Sequence, residues 1–201
     1  MNNKTLDYYN QNAEEFINRT VDADMHYCQD KYIKLLEPGA YILDAGCGSG
    51  RDSLYFLKHG FKVCAFDGSE EMCKAASDYI GQPVECMRFQ DIDYKEVFDG
   101  VWACASLLHL PKQELPDVLR RFFRALKPGG VIYASFKSGD KEEARSGRLF
   151  SDYHLEEIEF YYNNGKISEE EFTFTTKKGE EKKGKKNYFS CTYKRERDAK
   201  Q

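Results

Sequence analysis

The chain has 201 residues, 41% of them hydrophobic and 14% aromatic, with a formal net charge of −4. That length supports one domain with a substantial core, and the apolar content excludes a disordered chain even though a mean hydropathy of −0.71 marks a strongly charged surface. The acidic balance, with a sequence pI near 5.7, gives no pull toward nucleic-acid backbones or anionic membranes, so neither is expected as a partner.

Residues 5–36 carry apolar side chains at helical spacing: Leu6, Tyr9, Ala13, Phe16 and Ile17, then Tyr32, Ile33, Leu35 and Leu36. This predicts two helices ahead of the sheet. Pro38-Gly39 breaks the second, and the apolar run from Tyr41 to Ala45 enters Gly46-Cys47-Gly48-Ser49-Gly50, a strand ending in a glycine loop. Arg51 to His59 reads as a helix capped by Gly60, and Phe61 to Phe66 as a second strand closed by Asp67. Ser69 ahead of Glu70-Glu71 is an N-cap with acidic residues in the first turn, so a helix runs to about Ile80.

Val84 to Phe89 reads as a third strand ending at Gln90-Asp91, and Phe98 to Cys104 as a fourth. A helix from Pro111 to Leu126 stops at Lys127-Pro128-Gly129-Gly130, and Val131 to Phe136 is a fifth strand. Strand and helix alternate throughout, which predicts an α/β fold with a doubly wound parallel sheet and helices on both faces. Beyond Lys137 the expectation is a polar, basic loop and a short helix from about Ser151 or Asp152. Two alternating stretches, 170–176 and 187–193, then form a terminal antiparallel hairpin around a solvated lysine-rich loop.

Seven cysteines with no C-x-x-C pair read as reduced thiols, so no disulfide framework and no metal site is expected. The N-terminus lacks a basic region followed by an apolar stretch, and no run reaches the roughly 18 apolar residues of a membrane span. The expected location is the cytoplasm.

A strand turning through Gly46, Gly48 and Gly50 into a helix presents backbone N–H groups to a polar ligand. The dinucleotide fingerprint needs a third glycine where this chain has Arg51, and no G-K-[ST] follows, which disfavours a pyrophosphate and excludes a Walker loop. Asp44 at the loop entrance would repel a pyrophosphate and suits a ligand carrying an ammonium and a sulfonium, as S-adenosylmethionine does. Asp67, at the tip of the second strand, is placed to accept both hydroxyls of a ribose. Asp91, at the tip of the third, is placed to accept an adenine amino group, with the Ile92 backbone N–H toward the ring and Met72 and Ile92 on its two faces.

With these residues assembled, the chain resembles the class I S-adenosylmethionine-dependent methyltransferases, and within them the small tellurite-resistance-like and ubiquinone-biosynthesis-like branches. The resemblance rests on ILDAGCGSGRDS (42–53), FKVCAFDGS (61–69), FQDI (89–92), FDGVWACASLLHLP (98–111) and LKPGGVIYASF (126–136), about half the chain in the correct order. It implies a Rossmann-like sheet of seven strands with the last antiparallel. It also implies a cofactor site drawn from Asp44, Gly46, Gly48, Gly50, Arg51, Asp67, Gly68, Met72, Asp91, Ile92 and Ala105, the last against the methionine part. Residues 7–13 look like the YY-x-x-x-A lid of such enzymes, which places Tyr8 or Tyr9 over the active site.

One domain is expected, with residues 1–37 as a helical lid, 38–137 as the cofactor-binding core and 138–201 as an acceptor-side loop, helix and hairpin. His109 is the candidate general base because it follows strand four at the catalytic edge. Arg145 and Arg148 lie where an acceptor pocket is commonly built, and Arg148 joins His109 and Tyr9 in the catalytic set. The expected function is methyl transfer to a small-molecule acceptor (a chalcogen oxyanion, a thiol or a metabolite hydroxyl) by a monomer or homodimer. An NAD(P)-dependent oxidoreductase and a non-enzymatic S-adenosylmethionine-binding regulatory module stand as alternatives.

Overall fold

The computed structural model describes residues 3–158, 172–178 and 188–195. Three helices precede the sheet: α1 (Asn3–Gln11), α2 (Ala13–Thr20) and α3 (His26–Ile33). The expected first helix is split at Asn12, whose backbone leaves the helical region and whose Nδ2 donates to the Tyr8 carbonyl at 2.7 Å.

The strands are β1 (Tyr41–Ala45), β2 (Lys62–Asp67), β3 (Glu85–Cys86), β4 (Phe98–Ala103), β5 (Leu126–Lys137), β6 (Glu142–Arg145), β7 (Arg148–Ser151), β8 (Phe172–Lys178) and β9 (Tyr188–Arg195). Helices α4 (Arg51–Lys58), α5 (Glu70–Ile80) and α6 (Leu115–Ala125) complete the alternation. One sheet has seven strands in the order β3-β2-β1-β4-β5-β9-β8, and β6 and β7 form a second sheet of two. Strands β3, β2, β1, β4 and β5 are mutually parallel, and β9 runs antiparallel to both β5 and β8. This is the Rossmann-like α/β sheet that the alternation implied.

Side chains of β1 alternate between the two faces, as a doubly covered sheet requires. Leu43 and Ala45 join Val101, Ile132 and the α6 residues Leu119 and Phe122 in one core layer. Ile42 faces the other way with Trp102, Tyr133, Tyr32 of α3 and Phe56 of α4. Trp102 and Tyr133, paired across β4 and β5, stack at 3.9 Å with their planes 13° apart.

Three further elements depart from the sequence pattern. The third strand pairs only at Glu85 and Cys86, because Phe89 turns inward against Phe66 and residues Phe89–Asp91 close into a 3-10 turn. The expected loop after β5 contains the β6–β7 hairpin, whose Ser146-Gly147 turn has both φ angles positive, at 49° and 80°, as tight two-residue hairpins require. The helix expected from about Ser151 begins at Leu155. The terminal hairpin is present as β8 and β9, and most of its lysine-rich connection lies outside the described residues.

Phe122 is fully buried against Phe89 and the β-strand layer. Phe122→Ala is expected to lower unfolding free energy by about 3–5 kcal/mol in urea titration, with the slope unchanged.

Candidate functional site

The carboxyl ends of β1, β2 and β4 open onto a cavity of about 480 Å³, roofed by Tyr9 of α1 and Phe16 and Thr20 of α2 and closed at the sides by Met25 and Cys28. Its floor is the glycine loop. Gly46 has φ +79°, and a Cβ there would lie 2.6 Å from the Ser106 side chain, so only glycine lets the loop pass that close to the β4 tip. Ser106 Oγ donates to the Ala45 carbonyl at 2.7 Å and fixes the approach. Gly50, at φ +78°, packs on Ile80 and starts α4 without reaching the cavity.

Asp67 sits at the tip of β2 with its carboxylate on the cavity wall, where it accepts from the backbone N–H of Gly48 and of Ser69, each at 3.0 Å. Burial raises its pKa, and those two N–H groups oppose the rise. Met72 lies beside it on α5. Ala105 follows β4 in a left-handed conformation at φ 51°, unusual for a residue with a Cβ, and is held by its N–H donating to Ser135 Oγ at 2.8 Å. It too lines the cavity.

Of the two carboxylates on the cavity wall, the one with more side-chain partners is one the sequence did not single out. Asp52, in the first turn of α4, accepts from Arg51 Nε at 2.8 Å and Nη2 at 2.9 Å, from Gln29 Nε2 at 2.7 Å and from Trp102 Nε1 at 2.9 Å. Arg51 reaches on to the Thr20 carbonyl at 3.4 Å, so helix α2 is tied to the same group. The signal was the adjacent Arg51-Asp52 pair at a helix start, but Gln29 and Trp102, far off in sequence, could not be assigned to it.

Asp44 lies beneath the cavity rather than on its wall. It is 2% exposed and accepts from Ser53 Oγ at 2.6 Å. Burial, then the neighbouring Asp52, push its pKa up to about 8. The expected direct contact with a ligand is therefore corrected, since Asp44 packs beneath the glycine loop against Ser53 and does not line the cavity. Three thiols, Cys28, Cys47 and Cys104, also line the walls, and burial pushes the last two well above the ordinary thiol range.

The remaining expected cofactor residues separate from this group. Gly68 and Asp91 line a different depression of about 470 Å³ together with Leu6 and Asn10, so α1 borders both spaces. The Ile92 side chain is fully buried in the core, and its N–H makes a 3.5 Å contact with the Phe89 carbonyl, so it faces neither.

On the acceptor side, the structure brings Tyr9, His109 and Arg148 together. The Tyr9 hydroxyl lies 2.8 Å from His109 Nε2 and 3.5 Å from Arg148 Nη1. His109 Nδ1 lies 2.7 Å from the Leu149 carbonyl of β7. Burial lowers the His109 pKa to about 3, so the ring is neutral, and its outward nitrogen already meets Tyr9. That occupancy corrects the reading of His109 as a free base. Arg148 is not on the main cavity wall but lies over the Tyr8 ring at 4.5 Å, and Arg145 is engaged by Asp152 and Glu143.

Residues 42–130 match the methyltransferase domain family. Over those residues the chain carries a methyltransferase domain. S-adenosylmethionine is the cofactor of that family, and the carboxylate-rich cavity fits a cationic ligand. The domain is 32% identical over 128 residues to YqeM of Bacillus subtilis, covering 56% of this chain and 51% of that protein. It is 33% identical over 113 residues to malonyl-acyl-carrier-protein O-methyltransferase of Salmonella typhimurium, covering 53% and 43% respectively. The chain thus spans about half the length of these curated relatives. The fold superposes on Burkholderia thailandensis 1,6-didemethyltoxoflavin-N1-methyltransferase, bound to 1,6-didemethyltoxoflavin and S-adenosylhomocysteine, with a TM-score of 0.77 at 21% identity over 96% of this chain and 88% of that one. Among the described residues no cluster of His, Cys, Asp and Glu could hold a metal ion, and no helix is long and apolar enough to cross a membrane.

Asp44 gives the methyltransferase domain a pH signature. Its folded pKa of about 8 lies above the ordinary 3.8, so the native state holds a proton that the unfolded chain has lost, and stability must fall as pH rises through that window. His109, with its lowered pKa, acts in the opposite direction only below about pH 6.5. Between about pH 6.5 and about pH 8, urea midpoints are expected to fall for the native protein and to stay level for Asp44→Asn. Equal slopes for the two proteins would show that Asp44 is ionised when folded.

Proposed function

We propose that this protein transfers a methyl group from S-adenosylmethionine to a small-molecule acceptor. The observation that carries the reading is the convergence of Asp67, the glycine loop and Ala105 on one cavity whose acidic groups outnumber its cations. Asp52 and Asp67 line it against the single guanidinium of Arg51, which Asp52 already engages. Such a wall favours a cationic nucleoside and opposes the pyrophosphate of a dinucleotide. The cavity volume lies within the range of small-ligand sites, about 300–1,000 Å³.

Asp67 would hold the ribose hydroxyls, the Gly46–Gly48 backbone and Arg51 the amino-acid end, and Ala105 the region nearest the reacting atoms. Bound S-adenosylmethionine supplies a methyl group on a positively charged sulfur that is already a good leaving group. What remains for the protein is to orient the acceptor and exclude water, and orientation of that kind contributes roughly 7–11 kcal/mol. Tyr9 and Phe16 supply the cover. The acceptor is a thiol or a hydroxyl in preference to a chalcogen oxyanion, because Arg148 lies outside the cavity and Arg51 is taken up by Asp52 and by the amino-acid end of the cofactor.

Calorimetry with S-adenosylhomocysteine and with NADH, followed by transfer of radiolabelled methyl to thiol and hydroxyl acceptors, tests the proposal. S-adenosylhomocysteine is expected to bind and NADH not to. Asp67→Ala is expected to weaken binding about 10- to 100-fold, the worth of hydrogen bonds to a charged group. Binding of NADH alone overturns the reading.

A further inference from the structure

The acceptor side of the cavity has a hydrogen-bond polarity that can be derived atom by atom. The chain of contacts begins at Leu149, whose carbonyl can only accept. His109 Nδ1, 2.7 Å away, must therefore carry the ring hydrogen. A buried neutral imidazole with its hydrogen on Nδ1 has a bare lone pair on Nε2. The Tyr9 hydroxyl, 2.8 Å from that lone pair, has one hydrogen and must spend it there. Burial keeps the phenol protonated, since it raises the Tyr9 pKa further than Arg148 lowers it.

The phenol oxygen is left with acceptor capacity alone. Arg148 Nη1 approaches it at 3.5 Å from outside the cavity, while Tyr9 itself lines the wall. A molecule that meets Tyr9 from inside finds a lone pair and no hydrogen. An anion would meet the same lone pair, with Asp52 and Asp67 on the other walls.

We propose that Tyr9 is a specificity-determining residue, locked by His109 and the Leu149 carbonyl as a hydrogen-bond acceptor, and that it selects a methyl acceptor bringing its own hydrogen on O or S. This rests on the methyl-transfer reading and narrows its acceptor to a neutral nucleophile. His109 is then a positioning residue that fixes which way the phenol hydrogen points.

The test uses three probes of matched shape added to protein saturated with S-adenosylhomocysteine: benzamide, a neutral donor; acetophenone, neutral with no donor; and benzoate, anionic with no donor. Dissociation constants are read by ligand-observed NMR. Benzamide is expected to bind about ten-fold more tightly than acetophenone and than benzoate. In Tyr9→Phe, again measured at saturating S-adenosylhomocysteine, the advantage over acetophenone should vanish. In His109→Phe, which frees the phenol hydrogen, acetophenone and benzoate should gain on benzamide, a reversal that simple loosening of the site would not produce. Equal binding of benzamide and acetophenone to the native protein, or a preference that survives Tyr9→Phe, overturns the proposal. If S-adenosylhomocysteine fails to bind while the benzamide preference holds, the methyl-transfer reading fails and the polarity of Tyr9 stands.

Discussion

Asp52 is the group on which the arrangement of the cavity turns. Its four donor groups come from three residues, on α3, α4 and β4, and one of these residues, Arg51, also reaches the end of α2. A carboxylate taken out of water is costly unless its lone pairs are filled, and here every oxygen has partners. The same bonds that offset the desolvation hold the N-terminal helices against the sheet. Removing the carboxylate would leave the Trp102 and Gln29 donors buried without an acceptor and release the guanidinium beside the ligand.

The acceptor side follows the same logic with neutral groups. Leu149 belongs to β7, His109 to the turn after β4 and Tyr9 to α1, so three segments far apart in sequence meet through two hydrogen bonds. Thr5 Oγ1 adds a third, accepting from the Leu149 N–H at 2.9 Å. The β6–β7 hairpin thus serves to place a carbonyl. Without it, the imidazole tautomer would be undetermined and the phenol free to turn.

Much of this was legible in the chain itself. The alternation of short apolar runs with helical segments and the Gly46–Gly50 loop give the parallel sheet, and Asp67 is found at its carboxyl edge because strand tips are readable from the sequence, while Ala105 came from the family resemblance of residues 98–111. What escaped depended on three-dimensional proximity. Asp44 looks like a ligand contact in sequence, yet a strand's alternation carries its side chain into the layer beneath the loop. Asp91 was assigned to a strand end, and the inward turn of Phe89 moved it to a neighbouring depression. Ser146-Gly147 carried a hairpin signal, but the polar residues around it masked the alternation of β6 and β7. His109, grouped in sequence with Tyr9 and Arg148, meets Tyr9 in the fold, while its hydrogen-bonding state depends on a backbone carbonyl 40 residues away.

The cysteines of the cavity wall carry a chemical consequence. On the methyl-transfer reading, a compartment that receives an electrophilic carbon, yet is walled by Cys28, Cys47 and Cys104, risks alkylating itself, because sulfur is the most nucleophilic element that a side chain offers. The danger lies in the thiolate, and desolvation holds Cys47 and Cys104 in the unreactive S–H form. Acidic neighbours add to that protection, since the negative field that attracts a sulfonium also discourages a second anion from forming next to it.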